Sequence, residues 1–388
     1  MLLRTIACSY FIVFLAHSLW RSSFYNYSID EMGLGYSDIA FIFSAASIPG
    51  VFSFLLGFVA SKVSFHILAG VVLCVFGMGL IVLGLGFGNA NYSLMIGVVL
   101  ISLGFTWYLP IANYVYIGES RSNRVGMVLG RLKSLGPLAG ALVTLIYYQN
   151  NHGLEIAEFF LIAGFALIAT GVVTSLTLYG SSYNVQHQSL HFDRRLWPYY
   201  ALNFISGSRS ALFKTFILSQ FVFVSSLDVA EMSLLIFIGS IMVFFSYRML
   251  GYLSDRFGSE KVLRGIYLCV TVIFTSYALL NLESDLEFYM AVALFMLDSI
   301  LFGTSVITDS YLKNEENEKY LVCDLATGSA IFHAANVIMP LLGGLILAGS
   351  GNIQTVLILG IGIALAGVFI SFFMTKQVKV HAISTPAA

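Results

Sequence analysis

Charge is what this chain has least of. Only 10% of its 388 residues are Asp, Glu, Lys or Arg, where soluble domains carry about 25%. With 58% hydrophobic side chains and a mean hydropathy of +0.88, a water-facing globule would expose apolar patches too large to stay dispersed. Disorder is excluded by the same figures, because disordered chains are polar and charged. No basic cluster stands out, and 19 Lys and Arg against 20 Asp and Glu give a net charge of -1, so no nucleic-acid partner is expected. The four cysteines (Cys8, Cys74, Cys269 and Cys323) are far apart and form no CxxC. Neither a metal site nor a disulfide framework follows; buried free thiols do. HxxxxD and HExxH are missing, and the run Gly84 to Gly88 follows no strand, so it reads as close helix packing rather than a phosphate loop. The chain is therefore not expected to be an enzyme.

What is there is a series of long apolar runs. A helix crosses the hydrocarbon with about 20 such residues. Runs near 5–28, 37–60, 66–88, 92–117, 125–149 and 156–180 are followed by six more near 197–222, 230–252, 262–282, 287–312, 321–349 and 353–375. The first is too long for the apolar part of a signal peptide and reads as a retained span. Lipid leaves an open sheet edge unsatisfied, so the expected class is an all-α membrane protein of twelve transmembrane helices. Basic residues set the orientation. With the N-terminus inside, Arg4, Lys62, Arg121, Arg124, Arg194, Arg195, Arg248, Arg256, Lys261, Arg264, Lys313, Lys319, Lys376 and Lys379 all fall on the inner side, and the opposite loops hold none. Both termini are expected in the cytoplasm, with the chain a multi-pass protein of the plasma membrane.

The longest connection, 181–196, divides the runs six and six, so the expected organisation is an N-terminal half (1–180), a cytoplasmic central loop (181–196) and a C-terminal half (197–388). The halves echo each other. Leu56-Gly57-Phe58-Val59-Ala60-Ser61-Lys62 answers Leu250-Gly251-Tyr252-Leu253-Ser254-Asp255-Arg256, and Pro137-Leu138-Ala139-Gly140 answers Pro340-Leu341-Leu342-Gly343. Duplicated halves with a midplane site between them are the usual plan of secondary transporters.

Gly251, Leu253, Asp255, Arg256, Gly258 and Lys261 resemble the loop motif G-x-L-a-D-r-x-G-r-[RK] of the major facilitator superfamily, in the place where that family carries it. Gly136-Pro137-Leu138-Ala139-Gly140 is similar to part of the family's fifth-helix motif, which is associated with exchangers and leans toward export. The N-terminal loop copy departs from the pattern, with Ser61 for the acid and Ser64 for the second glycine. The fourth span also lacks the mid-helix arginine of many of the family's drug exchangers. The resemblance implies two pseudo-symmetric six-helix halves. It implies a cavity lined by the first, fourth, seventh and tenth helices, and conformational rather than substrate-contacting roles for the motif residues.

Five cations lie inside spans: Arg21, Arg131, Lys133, Arg209 and Lys214. Each costs about 2.5–3.5 kcal/mol at mid-helix, and against them stand only Asp298, Asp309 and Asp324. That positive surplus suits an anion. His17, Arg21, Phe24 and Ser28 share one face of the first helix; Thr106 and Asn113 share one of the fourth; Asp298, Phe302, Ser305 and Asp309 share one of the tenth. On a regular seventh helix Arg209 and Lys214 are about 140° apart, so only one is expected to face the cavity squarely. A pair of arginines from the first and seventh helices resembles the family's phosphate and organic-anion carriers. That resemblance implies Arg21 with Arg209, or with Lys214 in another register, as the ligand clamp; the alternative is that Asp298 or Asp309 neutralises one of the cations as a structural ion pair. Trp107 and Tyr25 are candidate stacking partners for a ligand. Asp298, Asp309, Asp324, His333 and His17 are candidate proton carriers.

The expectation is therefore a secondary active transporter working as a monomer in the bilayer. It would move a small organic anion, either a carboxylate (a carboxylate-type metallophore included) or a phosphate ester, without a cofactor and with the proton gradient as energy source. Two rivals are a multidrug/proton antiporter, which needs a buried acid in the N-terminal half, and a non-transporting sensor on the same scaffold.

Overall fold

The structure is a computed structural model, and it describes residues 2–26, 36–86, 91–119, 125–149, 156–179, 193–223, 229–280, 284–315 and 320–374. Within these, twelve rods follow one another and there is no strand. α1 (Leu2–Asn26) is followed by α2 (Tyr36–Val51), which passes through a 3₁₀ turn at Phe52–Leu55 into α3 (Leu56–Lys62) as one second rod. α4 (Phe65–Gly86), α5 (Asn91–Glu119), α6 (Val125–Gln149) and α7 (Ile156–Leu178) complete the first six. The seventh rod is α8 (Trp197–Leu212), a π-helical segment at Phe213–Ile217 and α9 (Leu218–Phe223). Then come α10 (Val229–Phe257), α11 (Ser259–Leu279), a tenth rod made of α12 (Asp285–Ile300) and α13 (Thr304–Glu315), α14 (Leu321–Ser350) and α15 (Ile353–Ile370).

Eleven of these rods are long and apolar enough to cross a membrane. The exception is the seventh, because its π segment divides the helix and Arg209 and Lys214 lie within it. Ordinary capping starts and stops the elements. The Ser284 hydroxyl accepts from Glu287 N at the start of α12 (3.3 Å), and the Asn352 side chain accepts from Gln354 N at the start of α15 (2.9 Å). Gly351, in the left-handed region (φ 64°), closes α14. Gly258 (φ 93°), a loop-motif residue, makes the tight corner between α10 and α11.

Two hydrophobic clusters hold the rods, one built mainly from α1, α4, α5 and α7 around Phe76, Tyr108 and Phe160, the other from α8, α11, α12 and α15 around Phe216, Tyr267 and Phe274. Gly70, Gly77 and Gly84 form a seven-residue stripe on α4 facing Ala157, Gly164 and Gly171 of α7; a Cβ on Gly77 would sit 2.5 Å from Gly164 O. Backbones meet here, and close-range dispersion replaces the hydrophobic effect, which is lost in lipid. Gly84 thus has the packing role the sequence suggests. None of the four thiols is in a disulfide, but the expectation that all are buried holds only for Cys323; Cys8 and Cys269 are exposed and Cys74 is half-buried. A small apolar side chain can face outward from a rod whose solvent is lipid.

Successive rods run antiparallel, so the start of α1, the ends of α3 and α10, and the starts of α6 and α14 share one face, here called the N-terminal face. Two seams between the first six rods and the last six are closed there. In the α6–α10 seam, a Cβ on Gly126 would lie 2.6 Å from Gly251 O and one on Gly130 would lie 2.5 Å from Tyr247 O. In the second seam Ser53 Oγ donates to Ala326 O (3.1 Å), Ser44 Oγ donates to Val337 O (3.1 Å), and Gly57 rests against Cys323 Sγ. Gly130→Val should push two backbones apart at a cost of about 1–3 kcal/mol. A lower apparent melting temperature in detergent checks it, and an unchanged one would refute the contact.

Candidate functional site: a cavity between the two sets of rods

A cavity of about 510 Å³ lies between the first and last six rods. Most of its wall is apolar, and the polar groups come in tiers along the bundle axis.

Nearest the N-terminal face, Lys133 of α6 meets Asp309 of α13 at 2.6 Å, with both side chains under a tenth exposed. Lys133 Nζ also donates to Ser305 O (3.2 Å), and Asn113 Nδ2 of α5 reaches the same Asp309 oxygen at 3.5 Å.

In the middle, Arg209 of α8 meets Asp298 of α12 at 2.5 Å, both almost fully buried. The tenth rod breaks at Leu301–Gly303, which leaves the last carbonyls of α12 short of their full intrahelical partners, although Leu301 N still reaches Asp298 O (3.0 Å). Arg209 takes them, donating from Nη1 to Leu301 O (3.0 Å) and from Nη2 to Asp298 O (3.2 Å). The cation thus caps a broken helix at its negative end while a carboxylate balances its charge. Beside this tier the Ser206 hydroxyl is hydrogen-bonded to both the Tyr267 and the Thr304 hydroxyls.

The third tier holds Arg21 and His17 of α1, Lys214 of the π segment and His333 of α14, all lining the cavity. The His17 ring stacks on Phe105 at 3.8 Å between centroids, and His333 Nδ1 is buried with no hydrogen-bond partner. Among the described residues Arg21 forms no ion pair. Tyr10, Phe14, His17 and Arg21 follow one another at spacings of four, three and four, which puts one stripe of α1 against the cavity.

The expectation that only one of Arg209 and Lys214 faces inward does not hold: both line the cavity. A π turn advances each residue by less than the 100° of an α-helix, so the segment at Phe213–Ile217 narrows the angle between them. Phe302 stands between the two, its ring 5.9 Å from Arg209 Cζ and 6.0 Å from Lys214 Nζ. Of the two cations offered as partner to Arg21, Arg209 is paired with Asp298, and Lys214 lies in the same tier as Arg21.

Other expected site residues fall elsewhere. Arg131 is exposed and lies off the cavity, its guanidinium 3.7 Å from Met127 Sδ. Asp324 is fully buried off the cavity and accepts from Tyr200 Oη at 2.6 Å. Trp107 turns to α2, its indole N–H donating to Pro49 O (3.3 Å). Thr106 lines the cavity with its hydroxyl bonded to Ser102 O (2.8 Å). The Tyr25, Phe24 and Ser28 side chains lie outside the described residues.

The motif residues work at the N-terminal face. Asp255 accepts from Gly126 N (3.0 Å) and Met127 N (2.8 Å), so its carboxylate caps the first turn of α6 across the seam. Arg256 Nη1 donates to Tyr252 Oη (2.9 Å). A Cβ on Gly258 would crowd Glu260, and Lys261 is exposed. Gly136 leaves room for Phe14, and Gly140 for Ser18; beside them Pro137 sits within α6, so α1 approaches closely. Ser18, Ser47, Ser240, Ser329 and Asn336 also line the cavity. Sequence reading missed them because lone serines and asparagines in apolar helices are common; only Ser18, within a turn of Arg21, and Ser329 and Asn336, within a turn of His333, carried a signal.

Two sets of six rods around a charged, membrane-embedded cavity define a secondary transporter. The chain belongs to the Major Facilitator Superfamily, whose family model matches residues 6–315. No characterised protein sequence matches it, while solved structures share its fold. The human organic anion transporter MFSD10 (TETRAN) superposes with a TM-score of 0.75 at 10% identity, covering 95% of this chain and 98% of that one. A point mutant of the nucleoside transporter NupG gives 0.69 at 16%, covering 97% and 100%. A point mutant of the Escherichia coli fucose:proton symporter FucP gives 0.69 at 12%, covering 96% and 98%. The chain is thus a multi-pass membrane transporter and not an enzyme.

Proposed function

We propose that this transporter moves a small organic anion by alternating access, coupled to protons. The observation that carries the reading is the third tier. Arg21 lines the cavity without an ion-pair partner among the described residues, beside Lys214 and two imidazoles. That tier is rich in N–H donors, and the two acids lining the cavity stand in other tiers, paired with Lys133 and Arg209. A carboxylate or phosphate ester offers Arg21 acceptor oxygens, and a guanidinium takes two of them at once. The cavity volume suits a small molecule, and Phe105, Phe302 and Phe332 flank the charges.

The cavity residues able to carry a proton are Asp298, Asp309, His17 and His333. A multidrug/proton antiporter would use an acid in the N-terminal half, and among the described residues none of the first six rods contributes one to the wall. The distribution of Lys and Arg supports a cytoplasmic N-terminal face in the plasma membrane, and one chain in the bilayer is the proposed working unit.

The test is counterflow in proteoliposomes with a panel of carboxylates and phosphate esters, with and without a pH gradient. At least one anion should exchange, and an inward-acid or outward-acid gradient should drive its accumulation. If organic cations exchange and no anion does, the cargo reading is wrong.

A further inference from the structure

Buried polar atoms are almost always hydrogen-bonded, so each exception asks for a reason. Among the described residues, the buried side-chain nitrogens and oxygens without a partner gather at the cavity. Five belong to residues lining it: Asn113 Oδ1, Arg209 Nε, Ser210 Oγ, Asp298 Oδ2 and His333 Nδ1. Three of these are in the middle tier, on Arg209, Ser210 and Asp298, which are 3%, 2% and 1% exposed. Arg209 gives its Nη atoms to Asp298 and to the end of α12, and Asp298 answers with Oδ1. That pairing leaves one donor and one acceptor unused on the two groups. Ser210 adds a hydroxyl beside them. It stands about one helical turn from Ser206 in one direction and about one from Lys214 in the other, between the hydroxyl cluster and the third tier.

We infer that the middle tier is a hydroxyl subsite, and that the cargo is an anion carrying an alcohol group close to its charged end. The donor and acceptor types select the group. Arg209 Nε only donates, and an ionised Asp298 only accepts. A second carboxylate or phosphate oxygen would suit Arg209 Nε and be repelled by Asp298. An amine or amide N–H would suit Asp298 and give Arg209 Nε nothing. A hydroxyl donates and accepts through one oxygen, so it answers both, and Ser210 can take either part. The spacing agrees. One turn is about 5.4 Å along the axis, so an anion at Arg21, in the tier of Lys214, brings a hydroxyl on a neighbouring carbon to the level of Ser210. The three atoms lie at the wall rather than in the open chamber, so the cargo reaches them by turning a wall side chain. Phe302, between the two tiers, is the nearest to move. Water is the alternative partner for such atoms, and a tier filled by water would not tell an anion from its deoxy analogue. The subsite deepens the anion reading given above and depends on it only for the charged end.

Compounds that differ by one hydroxyl test this on the full chain in proteoliposomes: malate against succinate, citrate against tricarballylate, and glycerol 3-phosphate against propyl phosphate. Each competes with the labelled anion that exchanges best in counterflow. A site built to hydrogen-bond a hydroxyl rejects the analogue without it. In the parent, the hydroxylated member of at least one pair should therefore reach half-inhibition at a concentration lower by about tenfold or more, as a hydrogen bond to a charged group gives. Ser210→Ala should cut that ratio severalfold. Arg209→Lys, which keeps a cation opposite Asp298 and drops Nε, should cut it too. Each variant is checked for a single symmetric elution peak. Equal half-inhibition within every pair overturns the inference and leaves the anion reading standing. A parent-like ratio in both variants also overturns it, because the hydroxyl is then read elsewhere. If no anion exchanges, the same proteins are scored in detergent for stabilisation by erythritol against butane-1,4-diol. A difference that Ser210→Ala removes keeps the subsite and discards the charged cargo; no difference overturns both.

Discussion

Arg21→Ala should reduce anion counterflow to background while the protein still inserts, elutes and melts like the parent. The side chain lines the cavity and has no ion-pair partner among the described residues, so its removal leaves no buried charge stranded. Stability is expected to change little for that reason. Binding should change greatly. A hydrogen bond to a charged group contributes about 1.5–3 kcal/mol, and a guanidinium makes two to a carboxylate, so affinity should fall by about 100-fold or more. Arg21→Lys keeps the charge and loses the fork, and should fall between the two, about tenfold weaker than the parent. Initial counterflow rates and equilibrium binding of the best anion in the panel measure both. Parent-like exchange by Arg21→Ala would take Arg21 out of the site and the proposed anion with it.

Asp298→Ala should behave in the opposite way, with the damage showing in stability. It leaves Arg209, 3% exposed, with carbonyls for partners and no counter-charge. Breaking a buried pair from one side costs about 3–5 kcal/mol. The apparent melting temperature in detergent should fall on the order of 10 °C, and yield should fall with it. Replacing both partners, Arg209→Leu with Asp298→Ala, should recover most of the loss, because two apolar side chains need no mutual neutralisation. Recovery separates an ion pair from mere packing. A single variant that melts with the parent would mean the pair does not hold the tenth rod.

The architecture was legible in the sequence because lipid allows so few solutions. Runs placed by hydropathy alone agree with the rods to within a few residues; the largest displacements are the end of α10, at Phe257 rather than 252, and the end of α15, at Ile370 rather than 375. Gly258 was legible as a motif position, and the structure adds the reason, a positive φ (93°) that favours glycine there. The site was legible by composition and not by geometry. Arg21, His17, Asn113, Asp298 and Asp309 could be placed on helix faces by regular 100° steps, and all five line the cavity. Lys214 could not, because the step changes at Phe213–Ile217. The pairing of Arg209 with Asp298 was one of two alternatives left open. What decided it was the break at Leu301–Gly303, a local event that a continuous apolar run conceals. Arg131 was misplaced for another reason: a long side chain near a helix end can reach out of the bundle, and helical spacing does not say which way it goes.

The divided seventh rod also bears on how the protein is made. A segment carrying Arg209 and Lys214, with its α-helix interrupted at Phe213–Ile217, partitions weakly into lipid by itself. Its arginine finds its counter-charge only after Asp298 has been synthesised, 89 residues later. The seventh segment is therefore expected to depend on the tenth for stable insertion, so that a chain truncated before Asp298 should hold its seventh segment in the membrane less well than the full chain does.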